Sequence, residues 1–206
     1  MTPPLRLTLV RHGETDGQSS IRYHGRTDVP LSSLGRMQMH SARDALCRED
    51  FAAVYASTLS RSLEAAQIVG RTNLVTCVTG FNEIDFGEWE GLTLEEIRGR
   101  YPESYARWAE NPSGFSYPGG DSMPRFRARV TRTLLEVLAR APAGALLLVV
   151  HKGIIRSILA ELLRWGESER RALAVELGSI HIVRHGHGCW HPEVLDRTDH
   201  LSWHCS

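Results

Sequence analysis

Leu5, Leu7 and Leu9 are apolar at every second position, which predicts a strand running into Arg11-His12-Gly13-Glu14-Thr15. Ala145 to Val150 is a continuous apolar run, the pattern of a strand buried on both faces, and it delivers His151-Lys152-Gly153 just ahead of a helical pattern from Ile154 to Leu163. Ala53-Val54-Tyr55 predicts a third strand, followed by a helix from Arg61 to about Val69, and Leu74 to Val78 a fourth. Pro30-Leu31-Ser32-Ser33-Leu34 leads into a helix reaching about Cys47, with Ser32 or Ser33 as its cap. Phe126 to Ala139 is an amphipathic helix, and Ser179–Arg184 and Trp190–Leu195 are two strands around His185-Gly186-His187-Gly188. From about residue 81 to 123, glycines, prolines and aromatics surround one short helical piece, Thr93 to Arg100. This excursion is expected to cover a site and shape substrate choice.

Strands alternating with helices predict an α/β fold, and open α/β sheets bind ligands at the carboxyl ends of their strands. Two such ends carry a histidine followed closely by glycine, and in a parallel sheet His12 and His151 can be neighbours facing one ligand. Arg61 stands at a third strand-to-helix junction, and Asn82 to Gly91 offers carboxylates in a glycine-punctuated loop. A guanidinium, an imidazole and a glycine at one turn suit a phosphate. The same tripeptide recurs at Arg184-His185-Gly186, but at a hairpin tip without the strand-to-helix setting.

Composition narrows the setting. With 206 residues and 42% hydrophobic content the chain is expected to form a single domain, 1–206, around one sizeable core. Its formal charge of zero gives no footprint for nucleic acid or an anionic membrane. Neither a signal peptide nor a membrane span is evident, and Cys47, Cys77, Cys189 and Cys205 lack a pairing motif, which fits reduced thiols in a cytoplasmic protein. Six of the ten histidines lie between His181 and His204, and His185, His187, Cys189 and His191 alternate as metal ligands on one strand face would. The glycines between them predict a turn that breaks this alternation, so a polar hairpin without metal is the expectation. Trp165, Trp190 and Trp203 suit either a core or an interface, which leaves a homodimer open.

The ordered motifs resemble those of the histidine phosphatase superfamily, also called phosphoglycerate mutase-like, over nearly the whole chain. The opening motif stands as Arg11-His12-Gly13-Glu14-Thr15, with Gln18 where asparagine is common, and continues as Gly25-Arg26-Thr27-Asp28-Val29-Pro30-Leu31. Ser57, Leu59 and Arg61 match the second arginine motif, with Ala65 in place of a usual threonine, and Glu83 to Gly91 matches the acidic loop. Pro118-Gly119-Gly120-Asp121-Ser122 resembles a segment of the smaller phosphatases, whereas Lys152 replaces the glycine that usually follows the second histidine.

This resemblance implies a three-layer αβα sandwich with a mostly parallel sheet and a C-terminal hairpin. It implies a phosphomonoester hydrolase in which His12 attacks phosphorus, Arg11 and Arg61 hold the nonbridging oxygens, Glu83 moves protons and His151 stabilises developing charge. Asp85, Glu88 and Glu90 compete with Glu83 for the acid's role, and Glu14 reads as an orienting residue. Arg11, Gln18, His24, Gly25, Thr27, Arg61, Lys152 and Gly153 are the implied substrate contacts. No cofactor or metal is called for, and the partner is a small phosphorylated metabolite. The short length and the Asn82–Gly91 and Pro118–Ser122 segments look most like α-ribazole phosphatases of cobalamin assembly and their broad-specificity relatives. A cofactor-dependent phosphoglycerate mutase and a noncatalytic phosphate-binding protein are the alternatives. The mutases carry tandem arginines in the excursion; this chain has none there, and Arg170-Arg171 falls after the His151 helix.

Overall fold

A computed structural model of the chain describes residues 6–201; Leu5, Trp203, His204 and Cys205 lie outside the described residues. The order of elements is β1 (Arg6–Arg11), α1 (Ser33–Ala45), β2 (Phe51–Ala56), α2 (Ser60–Gly70), β3 (Thr76–Cys77), α3 (Leu94–Arg100), α4 (Pro102–Glu110), α5 (Met123–Arg140), β4 (Ala145–Val150), α6 (Lys152–Leu163), α7 (Glu167–Ala172), β5 (Ile180–Gly186) and β6 (Cys189–Arg197). They build one six-stranded sheet in the order β3-β2-β4-β1-β5-β6. The first four strands in that order run parallel, and β5 and β6 are antiparallel additions.

The sheet is covered on both faces, as the continuous apolar run of β4 requires. Leu146, Leu148 and Val150 point into one core with Leu7, Leu9, Phe126, Val130 and Ile158, while Leu147 and Val149 point into the other with Val10, Met39, Val54 and Val69. Period-2 alternation thus sorts one strand between two apolar layers. Trp165 and Trp190 pack, partly buried, against the first core. Ser32 caps α1, its Oγ accepting the Gly35 N–H at 3.1 Å.

Three sequence expectations are corrected. The strand read at Leu74–Val78 shrinks to Thr76–Cys77, because β3 is an edge with only Tyr55 and Ala56 to pair with. The excursion holds two helices rather than one: Tyr101 leaves helical geometry (φ −131°, ψ 54°), and Pro102, which has no N–H to give the previous turn, starts α4. The helix α7 follows the His151 helix where no element was expected. The hairpin turns at His187 and Gly188, both at positive φ, which carries Arg184-His185-Gly186 far from any helix start. Cys189 Sγ lies 3.1 Å from His191 Nε2, and among the described residues no cluster of three metal-ligating side chains forms. Among the described residues no helix is long and apolar enough to cross a membrane.

Candidate active site

The parallel pairing of β1 with β4 brings the two histidines together. Arg11 lies opposite Val150, the His12 N–H donates to the Val150 carbonyl at 3.0 Å, and the two imidazoles stand 5.1 Å apart, edge to face. Gly13 leaves the strand pressed against α1, where a Cβ would fall 2.4 Å from the Gly35 carbonyl oxygen, so no other residue fits without moving the helix.

Hydrogen bonding fixes the chemistry of His12. Its Nδ1 lies 2.7 Å from the Gly13 carbonyl oxygen. A carbonyl only accepts, so Nδ1 carries the proton and Nε2 keeps its lone pair. Burial first, then the charges of Arg61 and Arg11, push the imidazole well below its ordinary pKa, so it is neutral at pH 7. His151 is held neutral by the same burial and by Arg61. Its Nε2 lies 2.8 Å from Ser57 Oγ, which also accepts the Leu59 N–H, and its Nδ1 is buried with no protein partner. When Ser57 donates to Nε2, the His151 proton sits on Nδ1, an unpartnered donor beside His12.

Arg61 lies beneath the site, fully buried, and three carbonyls hold it: Thr27 O at 2.8 Å, Gly25 O at 2.6 Å and His24 O at 3.2 Å. Those carbonyls are themselves placed by Glu90. Its carboxylate accepts N–H groups of Gly25, Arg26, Thr27 and Phe86 and the Thr27 hydroxyl at 2.6 Å. Glu90 therefore acts through the loop, not on the cleft. Arg11 donates to the Val175 carbonyl at 2.7 Å, and burial lowers its pKa to about 10, which leaves it charged at neutral pH.

Glu83 is the member of its acidic segment that reaches the cleft wall. Asp85 accepts the Gly87 N–H and Glu88 is exposed. Glu83 Oε1 accepts the Ile84 N–H at 3.0 Å and Oε2 the Gly153 N–H at 2.8 Å. Burial nevertheless raises its pKa against those two bonds and the nearby arginines. Gly153 is needed for this approach, since a Cβ there would stand 2.5 Å from Glu83 Oε1. Behind the loop, Arg129 donates to the carbonyls of Gly80 and Asn82 at 2.8 Å each and of Glu83 at 3.4 Å. Sequence reading missed Arg129, because an arginine on the predicted amphipathic face of α5 looks like a solvated charge.

The cleft has a volume of about 600 Å³, ample for a metabolite. Arg11, His12, His24, Glu83, Lys152 and Gly153 line it, and Arg61 and His151 lie just beneath. Gln18, Gly25 and Thr27 are not on its wall: Gln18 is exposed at a turn (φ 61°), and Thr27 is tied to Glu90. His24 gives its Nε2 to the Gly17 carbonyl at 2.6 Å. Glu14 accepts the N–H groups of Thr15 and Ser20 and so orders the first loop, as an orienting residue should. The excursion supplies Phe86, Leu94, Trp108 and Tyr117 to the rim.

A sequence profile of the histidine phosphatase superfamily (branch 1) matches residues 7–198. The chain is 32% identical over 202 residues to a bifunctional protein of Mycobacterium tuberculosis, a match that takes in 96% of this chain and 55% of that protein, so the chain spans about half the length of that relative. It is 35% identical over 161 residues to phosphoserine phosphatase 1 of Hydrogenobacter thermophilus, covering 77% of this chain and 76% of that one. The solved structure of the α-ribazole phosphatase of Shigella flexneri is similar with a TM-score of 0.84 at 25% identity, covering 94% of this chain and 96% of its own.

Proposed function

Because this chain belongs to the histidine phosphatase superfamily (branch 1), we propose that it hydrolyses a phosphomonoester through a phosphohistidine on His12. The observation that carries this reading is the Nδ1 contact to Gly13 O, which leaves Nε2 of a neutral imidazole free to attack beside the half-buried Arg11 and the buried Arg61. In the first half-reaction Nε2 bonds to phosphorus, the ester oxygen departs with the bonding electrons, and Glu83, whose protonated form burial favours, gives that oxygen its proton. Arg11, Arg61 and the unpartnered Nδ1 of His151 hold the charge that develops on the transferring group. In the second, Glu83 takes a proton from water, the hydroxyl bonds to phosphorus, and the P–N bond breaks to release inorganic phosphate and restore His12.

The cations here are guanidinium groups and the proton carrier is a carboxyl, so the scheme asks for no metal ion. Aromatic rings at the rim suit an organic alcohol with an apolar face, and the likeness to an α-ribazole phosphatase and a phosphoserine phosphatase supports a small metabolite, with α-ribazole 5′-phosphate among the first to try. His12→Ala tests the reading: the parent should take up an acid-labile label rapidly from a labelled phosphomonoester, and the variant should take up none. Label persisting in the variant would reject His12 as nucleophile.

A further inference from the structure

The cleft lining combines aromatic rings, among them Phe86, Trp108, Tyr117 and Phe126, with cations that include Lys152, Arg156 and Arg170. Two of these cations already have partners: Arg156 gives Nε and Nη2 to the Leu173 carbonyl at 3.0 and 2.7 Å, and Arg170 pairs with Glu167. Lys152 makes no hydrogen bond or ion pair among the described residues, although it is partly buried on the cleft wall directly after His151. Burial first, then the neighbouring charges of Arg11 and Arg156, lower its pKa against the more distant attraction of Glu176 and Asp196, neither of which is in ion-pair contact with it. Glu176 is the one carboxylate besides Glu83 on the cleft wall among the described residues, and it is exposed and not ion-paired with Lys152.

Charge accounting gives this arrangement a use. The phosphoryl dianion is matched by Arg11 and Arg61, and Arg170 pairs with Glu167, so Lys152 and Arg156 are left as cleft-wall cations with no carboxylate in ion-pair contact among the described residues, placed to meet a second group. A cleft of about 600 Å³ has space for such a group beyond the phosphoryl. We propose that Lys152, backed by Arg156, forms a second anion subsite, so that preferred substrates are phosphomonoesters carrying a further carboxylate or phosphate. This rests on the phosphatase reading for the placement of the first phosphoryl group.

Matched ligand pairs isolate the second anion because the phosphoryl group is common to both members. The probes are 3-phosphoglycerate against glycerol 3-phosphate for a carboxylate, and fructose 1,6-bisphosphate against fructose 6-phosphate for a second phosphate. Binding is measured by calorimetry in the His12→Ala protein, and kcat/KM in the protein with His12 intact. In at least one pair the acidic member should be favoured about tenfold or more, the worth of one charge-assisted hydrogen bond. Lys152→Met should bring that ratio to near one, and Lys152→Arg should keep most of it. The pair that shows the ratio identifies the anion. Equal affinity within both pairs, or a ratio that survives Lys152→Met, would overturn the subsite. Failure of the phosphatase reading looks different: no phosphate is released by the intact protein, while the binding ratio still reports on Lys152.

Discussion

Burial moves the carboxyl and the imidazole of the site in opposite directions. Desolvation raises the pKa of Glu83 and lowers that of His12, so burial favours a proton on the carboxyl while it keeps the imidazole unprotonated. That pairing predicts a leaving-group signature. Glu83→Gln should slow phosphoenzyme formation strongly with alkyl phosphates, about 100-fold or more, and much less with p-nitrophenyl phosphate, whose phenolate departs unaided. Dephosphorylation should be impaired with both, so single-turnover kinetics must separate the steps. Equal slowing for both leaving groups would show that Glu83 only shapes the site. For the parent, phosphoenzyme formation from alkyl phosphates should decline as pH rises through the raised pKa of Glu83, because the ionised form has no proton to give.

Elements position these residues through their ends and their backs. The loop bearing Glu83 hangs from α5 by Arg129, whose guanidinium satisfies carbonyls of Gly80, Asn82 and Glu83. Arg129→Met removes those donors and should lower kcat by about 10- to 100-fold while leaving the protein folded, since lost bonds to partly buried carbonyls cost about 1–3 kcal/mol each at most. The deficit should show the leaving-group dependence of Glu83→Gln in smaller degree; an equal loss for every substrate would assign Arg129 to general stability. The sequence made His12, His151 and Arg61 legible because each stands where a strand pattern meets a helix pattern. It did not reveal Arg129 or the part played by Glu90, because both act through backbone groups of loops whose conformations leave no periodic trace. Gln18 and Thr27 show the converse limit: a motif names residues, but only the folded loop decides whether a side chain faces the cleft or Glu90.

Over the whole molecule, the burial that tunes the site also makes the fold sensitive to acid. His12 and His151 are held neutral, and His181, fully buried on β5, is lowered to about 4. Its Nδ1 accepts the Asp196 N–H at 3.1 Å, which requires an unprotonated nitrogen. The unfolded chain binds more protons between the lowered pKa values and the ordinary 6.5, so stability is fully present above about pH 6.5 and is lost as pH falls toward 4. His181 alone should account for about 3 kcal/mol of that loss. Thermal melts from pH 7.5 to 4.5 should show a falling melting temperature, with a shallower slope in His181→Gln; identical slopes would clear His181 of the effect.

The strand that leads into His12 sits between β4 and β5, both far later in the chain, and Arg11 reaches a carbonyl 164 residues further on. A nascent or refolding chain therefore holds His12 at the end of an unpaired strand until the last third arrives, an ordering that favours slow, non-local folding. On the proposed phosphatase reading, phosphate recognises only the completed fold. Inorganic phosphate should accordingly slow unfolding while leaving the refolding rate nearly unchanged in denaturant-jump kinetics, because the transition state has not yet closed the anion's pocket. Faster refolding in phosphate would mean that the ends of β1 and β4 meet early, and that the catalytic centre is also the folding nucleus.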